Sequence, residues 1–278
     1  MRLGITDTVK HLIIINVIVF IGMMTIGNNG DLFNQWFALY TPKSENFNVW
    51  QIFTHMFMHS NQTFAHILFN MFGLWMFGTA VEQRLGNKKF LFLYISSGLG
   101  AVLLTFIVYY FQVYQDFNVI NNLGLSKEIV SEIINLDIVN SSYRFDSNIL
   151  YNKLNTLFLD NNLDGSIVSN EVFASIYNVN AKTNVTMVGA SGCIMGILAA
   201  FGMMNPNAEL MLIFLPIPIK AKYFIPGIII LDVISAFTGQ SFFSPSNTAY
   251  AAHIGGAITG FLIMWYWKKN SMNKYRWN

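Results

Sequence analysis

Six apolar stretches constrain this chain more than any other feature, because each has about the length needed to cross a bilayer. A membrane-spanning helix needs about 20 predominantly apolar residues, since each residue advances the helix by about 1.5 Å. Such stretches lie at residues 11–27, 64–81, 89–113, 187–204, 223–238 and 249–267. In addition, 54% of the residues are hydrophobic and only 11% are charged. The pattern predicts an all-α polytopic membrane protein with six spans.

The distribution of lysine and arginine predicts the orientation of the spans, because cytoplasmic loops are enriched in basic residues. The larger group is Arg2, Lys10, Arg84, Lys88, Lys89, Lys220, Lys222, Lys268, Lys269, Lys274 and Arg276. The smaller group, on the other side, is Lys43, Lys127, Arg144, Lys153 and Lys182. Both termini are therefore expected in the cytoplasm. The first span is expected to be retained, since no A-x-A-like cleavage site ends it. The net charge of +2 indicates no nucleic-acid partner, so the lipid bilayer is the expected environment.

A serine among small residues opens the fourth stretch, in the G-A-S-G sequence of residues 189–192. The sixth stretch contains one histidine, in A-H-I-G-G at 252–256, and continues into a G-x-x-x-G face. Glycines let two membrane helices approach closely, and ionisable residues inside membrane segments are costly and usually functional. The motifs predict a dyad of Ser191 and His253 within the bilayer. The glycines expected to support close packing are Gly189, Gly192, Gly256 and Gly260.

Two further motifs complete a resemblance to a known family. H-I-L-F-N stands at residues 66–70, and E-Q-R-L-G follows at 82–86. With the serine and histidine motifs in the same order, the chain resembles the rhomboid intramembrane serine proteases from about residue 48 to 267. The resemblance implies a six-helix rhomboid-like bundle, with Ser191 and His253 as the catalytic residues. The expected location is a bacterial plasma membrane.

His66 and Asn70 are four residues apart and therefore share one face of a helix. Such a polar pair can simply join two helices. It can also donate hydrogen bonds to the oxyanion that develops during acyl transfer. The resemblance implies the second role for both residues, and we favour it.

The first loop contains two more histidines and one departure from the family. The spacing of His55, His59 and His66 would suit a metal on a helix, but the H-E-x-x-H pattern is absent, so we expect no metal. Hydrogen bonds within the loop are the favoured role for the histidines, and no cofactor is expected. Rhomboids usually have Trp-Arg where this chain has Trp50 and Gln51, which removes a charge that helps to order the loop.

Residues 114–184 interrupt the resemblance with a polar, acidic segment. Apolar periodicity in 126–134 and 149–158 predicts two helices, the first with Ser126 as its N-cap. We expect a helical extracytoplasmic insert between spans three and four. The predicted division is therefore a membrane core at 1–113 and 185–278, and an insert at 114–184.

Three features lie between the fourth and sixth spans. The run 210–219 is too short to span a membrane and is predicted to form an interfacial hairpin.

Asp232 lies deep in span five, where an acid must be paired or functional. Because of that depth, we expect Asp232 to face inward with hydrogen-bonding neighbours rather than to be a third catalytic group. The loop 238–248 is expected to move as a cap.

The motifs predict an intramembrane serine endopeptidase that cleaves transmembrane protein substrates near the external membrane face. An alternative is a catalytically weak rhomboid-like protein that binds membrane helices, which the intact Ser191, His253 and Asn70 disfavour and Gln51 slightly favours. A small-solute transporter is a third class. Internal repeats or charged midplane pairs would indicate it, and the sequence has neither.

Overall fold

The computed structural model describes residues 4–26, 30–60, 64–142, 144–212, 215–238 and 249–273. The helices are α1 (Asp7–Thr25), α2 (Asp31–Phe37), α3 (Gln51–Thr54), α4 (Phe64–Gly73), α5 (Thr79–Leu85), α6 (Asn87–Asn121), α7 (Lys127–Asn135), α8 (Ser147–Asp160), α9 (Asn170–Asn184), α10 (Ser191–Met204), α11 (Ala221–Thr238) and α12 (Ala249–Asn273). A π-helical turn covers Leu74–Gly78, and short 3₁₀ helices cover His55–Phe57 and Gly165–Ile167. Strands β1 (Glu209–Leu212) and β2 (Leu215–Lys220) form an antiparallel hairpin.

Helices occupy all six stretches that were predicted to span the membrane. Four described segments are long and apolar enough to cross a bilayer: Asp7–Thr25, Phe64–Leu85, Asn87–Asn121 and Ala221–Thr238. Large apolar side chains remain exposed on the longer helices, as lipid contact requires: Ile18, Leu68, Phe92, Leu103, Ile230 and Phe261. The chain is therefore a multi-pass integral membrane protein, and the prediction of an all-α membrane fold is confirmed.

The described residues pack as two compact units. The membrane unit takes its residues from Met1–Leu39, Val49–Thr105 and Met187–Asn278. The second unit is formed by Tyr40–Asn48 and Phe106–Thr186. It contains the predicted insert but starts earlier, within α6, and it includes a segment of the first loop.

Helix α10 lies at the centre of the membrane unit. Every residue from Gly192 to Phe201 is buried. With 14 residues α10 is short. At about 1.5 Å per residue it is about 21 Å long, against about 30 Å for the hydrocarbon core of a bilayer. A short central helix needs support at its ends, which residues near the end of α5 and in the first loop provide.

Glu82 and Arg84, both in α5, each stabilise the end of another helix. The Glu82 carboxylate accepts hydrogen bonds from the Thr6 hydroxyl at 2.5 Å and from the Val9 N–H at 2.9 Å, at the start of α1. The Arg84 guanidinium donates to the Met204 carbonyl at 3.1 Å, at the end of α10. An acid at a helix N-terminus and a base at a C-terminus both complement the helix dipole. These contacts give the E-Q-R-L-G motif a structural role.

The segment between α10 and α11 is the predicted hairpin. Its two strands pair in antiparallel register, with Glu209 opposite Lys220 and Leu210 opposite Ile219. The Ala221 N–H, at the start of α11, donates to the Ala208 carbonyl at 2.8 Å and closes the hairpin. The prediction of a hairpin is confirmed, and its position at the membrane interface stays a prediction. The predicted mobile loop 238–248 lies outside the described residues from position 239 onward.

The second unit has its own apolar core and locally capped helices. Fully buried side chains from α6 to α9 form the core: Ile120, Ile133, Leu150, Ile176 and Val179. Ser126, Asp146 and Ser169 cap the N-termini of α7, α8 and α9, respectively. Thr41 of the first loop donates from its hydroxyl to the Thr183 carbonyl at 2.9 Å. Both helices predicted in this region are confirmed.

Candidate active site

Ser191 is the first residue of α10, so its backbone N–H and that of Gly192 have no acceptor one turn earlier in the described helix. Gly189, two residues before, has a φ of 123°, which residues with a side chain rarely adopt. A Cβ at Gly189 would lie 3.1 Å from His66 Nε2 and 3.7 Å from Ser191 Oγ. Glycine at this position therefore lets the imidazole of His66 and the hydroxyl of Ser191 lie on the same side of the chain.

The first loop holds the segment that leads into Ser191. Leu39 and Met187 exchange two backbone hydrogen bonds, of 3.0 and 2.8 Å. The Gly189 N–H donates to the His55 carbonyl at 3.0 Å. The backbone on the N-terminal side of the serine is thus fixed by residues distant in sequence.

Helices α10 and α12 contact each other through backbone atoms. A Cβ at Gly256 would collide with the carbonyl group of Gly192, and one at Gly260 would collide with that of Gly196. The contact continues toward the N-terminal ends of both helices, where a Cβ at Gly192 would lie 3.4 Å from the Ala252 carbonyl oxygen. Ser191 and His253 each neighbour a residue of this contact, so they lie at the same level of two touching helices.

The imidazole of His253 is bound on one side by a carboxylate. His253 Nδ1 lies 3.1 Å from Oδ2 of Asp232 in α11. No hydrogen bond joins Ser191 to His253, both of which the structure describes. Catalytic hydrogen bonds are often long in a resting site and shorten when substrate binds, so this does not disqualify the pair. Asp232 faces inward as expected. The prediction from sequence missed its partner, although an acid inside a span was the signal that it needed one.

One hydrogen bond indicates the tautomer of His66. Its Nδ1 accepts a hydrogen bond from the Ser60 backbone N–H at 3.4 Å. A neutral imidazole that accepts at Nδ1 carries its proton on Nε2. The Nε2–H group is the one that lies against Gly189, near Ser191 Oγ. His66 therefore offers a donor on the side of the serine hydroxyl.

Asn70 lies one turn further along α4 and is buried. Its amide donates to the His66 carbonyl at 3.0 Å, which uses one of its two hydrogens. One turn beyond Asn70, a Cβ at Gly73 would lie 3.5 Å from a methyl group of Ile194. Because Ile194 is likewise one turn beyond Ser191, Asn70 and Ser191 lie at corresponding positions of two helices in contact.

A model of the rhomboid domain family matches residues 46–132 and 165–270. The chain belongs to the rhomboid family. The rhomboid proteases GlpG of Salmonella paratyphi A and Salmonella typhi are each 40% identical to it over 83 residues, which are 30% of this chain and 29% of each relative. The matched stretch thus spans less than a third of the length of these curated relatives. The unmatched residues 133–164 lie in the second unit.

In this rhomboid, Gln51 orders the first loop without a charge. The side chain is fully buried, and its amide donates to the Gln35 carbonyl at 3.0 Å. The neighbouring Trp50 donates from its indole N–H to the Trp36 carbonyl at 2.8 Å, and the two tryptophan rings stack. Hydrogen bonds from Gln51 and Trp50 to α2 therefore fix the loop.

His55 and His59 of this rhomboid are buried and neutral at physiological pH. Burial lowers the pKa of His55 to about 4, and burial together with the nearby His66 imidazole lowers the pKa of His59 to about 3. His55 Nδ1 hydrogen-bonds the Gln51 carbonyl at 2.9 Å, as predicted for a loop histidine. His59 differs, since neither of its ring nitrogens has a partner within the described part of the chain. Among the described residues, no three metal-ligating side chains lie together.

A small cavity adjoins the serine of this rhomboid. Its volume is about 10 Å³, and its lining includes Ser191, Gly189, His55 and Ala252. A space of this size holds about one water molecule. The surroundings of the hydroxyl are therefore closely packed rather than open.

Proposed function

We propose that this rhomboid is an intramembrane serine endopeptidase that cleaves transmembrane-helix substrates near the external membrane face. One observation carries the proposal. Ser191 stands at the open N-terminus of α10, with His66 Nε2 beside it and His253 on the helix that α10 touches. The Salmonella relatives are named as rhomboid proteases, which agrees with this assignment.

The chemistry assigns one role to each group. Ser191 Oγ attacks the scissile carbonyl carbon while His253 Nε2 takes the hydroxyl proton. The oxyanion accepts hydrogen bonds from His66 Nε2, from the second amide hydrogen of Asn70 and from the Ser191 backbone N–H. His253 then gives its proton to the leaving amine as the C–N bond breaks. Water, deprotonated by the same imidazole, releases the acyl group from Ser191.

The short length of α10 supports cleavage below the external surface. If Met204 lies at the cytoplasmic boundary, about 21 Å of helix places Ser191 about 10 Å below the other boundary of a bilayer of about 30 Å. A substrate must present an extended backbone at that depth. Transmembrane segments with small or helix-breaking residues near their external end therefore fit the site best.

We propose cytoplasmic termini in a bacterial plasma membrane, and the described basic residues support that orientation. Lys88 and Lys89 begin α6, Lys220 and Lys222 flank the start of α11, and Lys268 lies in the last turns of α12. These ends belong on one side of the membrane and fit the positive-inside rule. A reporter that is active only in the cytoplasm should be active when fused to the C-terminus, and activity only of a periplasmic reporter would contradict this topology.

The experiment that tests the proposed function combines cleavage with labelling. Purified protein in nanodiscs should cleave a model transmembrane substrate and react with a fluorophosphonate probe. Ser191→Ala and His253→Ala should each abolish cleavage, whereas the matched controls Ser235→Ala and His11→Ala should not. Thermal unfolding would verify that all four variants fold. Full cleavage by either active-site variant contradicts the dyad.

The same experiment addresses the alternative of a rhomboid that only binds membrane helices. If the alternative holds, the wild-type protein captures the model substrate but leaves both the substrate and the probe unmodified. Ser191→Ala would then behave like wild type in every assay.

A further inference from the structure

The carboxylate of Asp232 has a single described partner, and that partner is the imidazole of His253. Asp232 is 4% exposed and lies in α11, one of the segments able to cross a membrane. Its Oδ2 lies 3.1 Å from His253 Nδ1. Within the described part of the chain this is the only pair with ion-pair geometry.

An acid inside a membrane span is costly, so its partner indicates its role. A buried carboxylate can pair with Lys, Arg or His, or accept from backbone N–H groups. Asp232 instead binds the non-reacting nitrogen of the residue proposed as the general base. This is the relation that an orienting carboxylate has to its histidine in Ser-His-Asp enzymes.

We propose that Asp232 is a positioning residue that converts the Ser191–His253 dyad into a Ser-His-Asp arrangement; this rests on the proposed function. By accepting from Nδ1–H, Asp232 keeps the proton on that nitrogen and leaves the lone pair of Nε2 free for the Ser191 proton. It also stabilises the imidazolium that forms when the proton is transferred. Asp232 does not touch substrate and acts through His253.

Substitution on α11 separates positioning from packing. Asp232→Asn keeps the shape of the side chain but removes the charge and the defined tautomer. We expect kcat to fall by about 10²-fold or more with KM changed less than about twofold, since an amide in place of a triad aspartate costs about 10⁴-fold in well-studied enzymes. Asp232→Glu should recover part of the lost rate. The matched control is Ser235→Ala, one turn away, which removes the buried hydrogen bond to the Leu231 carbonyl without touching His253.

A ¹⁵N NMR spectrum tests the Asp232–His253 contact without measuring activity. In protein labelled with ¹⁵N-histidine, the His253 signals are identified by their loss in His253→Gln. We expect the proton of wild-type His253 on Nδ1, and a different tautomer distribution in Asp232→Asn. Failure of the proposed function would appear as a wild type that neither cleaves nor labels, and the spectrum would still report on Asp232.

Two results would each overturn the proposal. One is activity of Asp232→Asn equal to that of Ser235→Ala. The other is a wild-type His253 that carries its proton on Nε2, a result that does not depend on the folding of Asp232→Asn.

Discussion

The two units of this rhomboid are both helical, but they are stabilised in different ways. In the membrane unit, α10 and α12 meet through the backbones of Gly192, Gly196, Gly256 and Gly260. In the second unit, helices are joined by large buried side chains such as Ile133, Leu150 and Ile176. Lipid supplies no hydrophobic force between helices, so close van der Waals contact must replace it. Large branched apolar side chains, as in the second unit, are the kind that the hydrophobic effect drives together.

Helix ends show the same contrast. In the second unit, Ser126, Asp146 and Ser169 cap their own helices from the adjacent position. In the membrane unit, the start of α1 and the end of α10 depend on Glu82 and Arg84, which are far away in sequence. The second unit is therefore organised by local sequence, and the membrane unit by contacts between distant segments.

The largest expected effect comes from a methyl group at the glycine interface. Gly256→Ala places a Cβ against the Gly192 carbonyl, where only backbone can move. We expect the folded membrane unit to be lost or its free energy of unfolding to fall by about 3 kcal/mol or more. Thermal unfolding of the purified variant measures this.

Two matched controls sharpen that test. A Cβ at Gly227 in α11 or at Gly165 in the second unit meets nothing within 4 Å of described atoms. Alanine at either position should leave stability within about 1 kcal/mol of wild type or raise it. Equal effects at all three positions would show that close glycine contact does not distinguish the units.

A smaller effect is expected at Asn70, where the proposed role is in the transition state. Asn70→Ala should lower kcat by about 10²–10³-fold, as loss of one oxyanion donor does elsewhere. His66 and the Ser191 N–H remain, so residual turnover should be measurable. Lost substrate binding with unchanged turnover would instead make Asn70 a packing residue.

Acid should destabilise the membrane unit before the second unit. His55 and His59 have a folded-state pKa of about 4 and about 3, below the ordinary value of 6.5. Between the folded-state pKa and 6.5, these histidines bind protons in the unfolded chain but not in the folded one. The free energy of unfolding therefore falls as the pH drops below about 6.5. From pH 6.5 to 5 each histidine should cost about 2 kcal/mol.

The caps of the second unit respond at lower pH. Asp146 caps α8, and Asp164 caps the 3₁₀ helix Gly165–Ile167. Hydrogen bonds to their carboxylates lower the pKa of both residues below the ordinary value of 3.8, so these caps persist at pH 5. Unfolding curves at several pH values, followed separately for each unit, test the difference. His59→Phe should weaken the pH dependence of the membrane unit, and an unchanged profile would contradict the assignment.

The smallest expected effect is on probe labelling at Ser191 when most of the second unit is deleted. With residues 118–182 replaced by a short Gly/Ser linker, the protein should still label at Ser191, with a rate within about threefold of wild type. All proposed catalytic groups lie in the membrane unit, and a change in loop length costs little free energy. A protein that inserts but no longer labels would show that the second unit completes the site.

Much of this architecture could be predicted from sequence because it depends on local pattern. Apolar length located the spans, and the Ser126 cap located α7. The roles of Ser191, His253, His66 and Asn70 remain predictions that activity measurements must test.

Other features depend on contacts that no local pattern specifies. The partner of Asp232 is fixed by the meeting of α11 and α12, and the burial of Gln51 is fixed by its bond to Gln35. The membership of Tyr40–Asn48 in the second unit likewise follows from tertiary hydrogen bonds such as that of Thr41 to Thr183.

The π-helical turn Leu74–Gly78 joins α4 and α5, which contact different parts of the membrane unit. Such a turn holds one residue more than a regular helix would, so α5 is rotated by about 100° from the phase that α4 sets. His66 can therefore lie beside Gly189, close to Ser191, while Glu82, further along, faces the start of α1. The second span is equivalent to an ordinary helix that carries a single inserted residue. Removing one residue from the turn would restore regular geometry at the expense of this alignment, so the irregularity lets one continuous helix serve two partners.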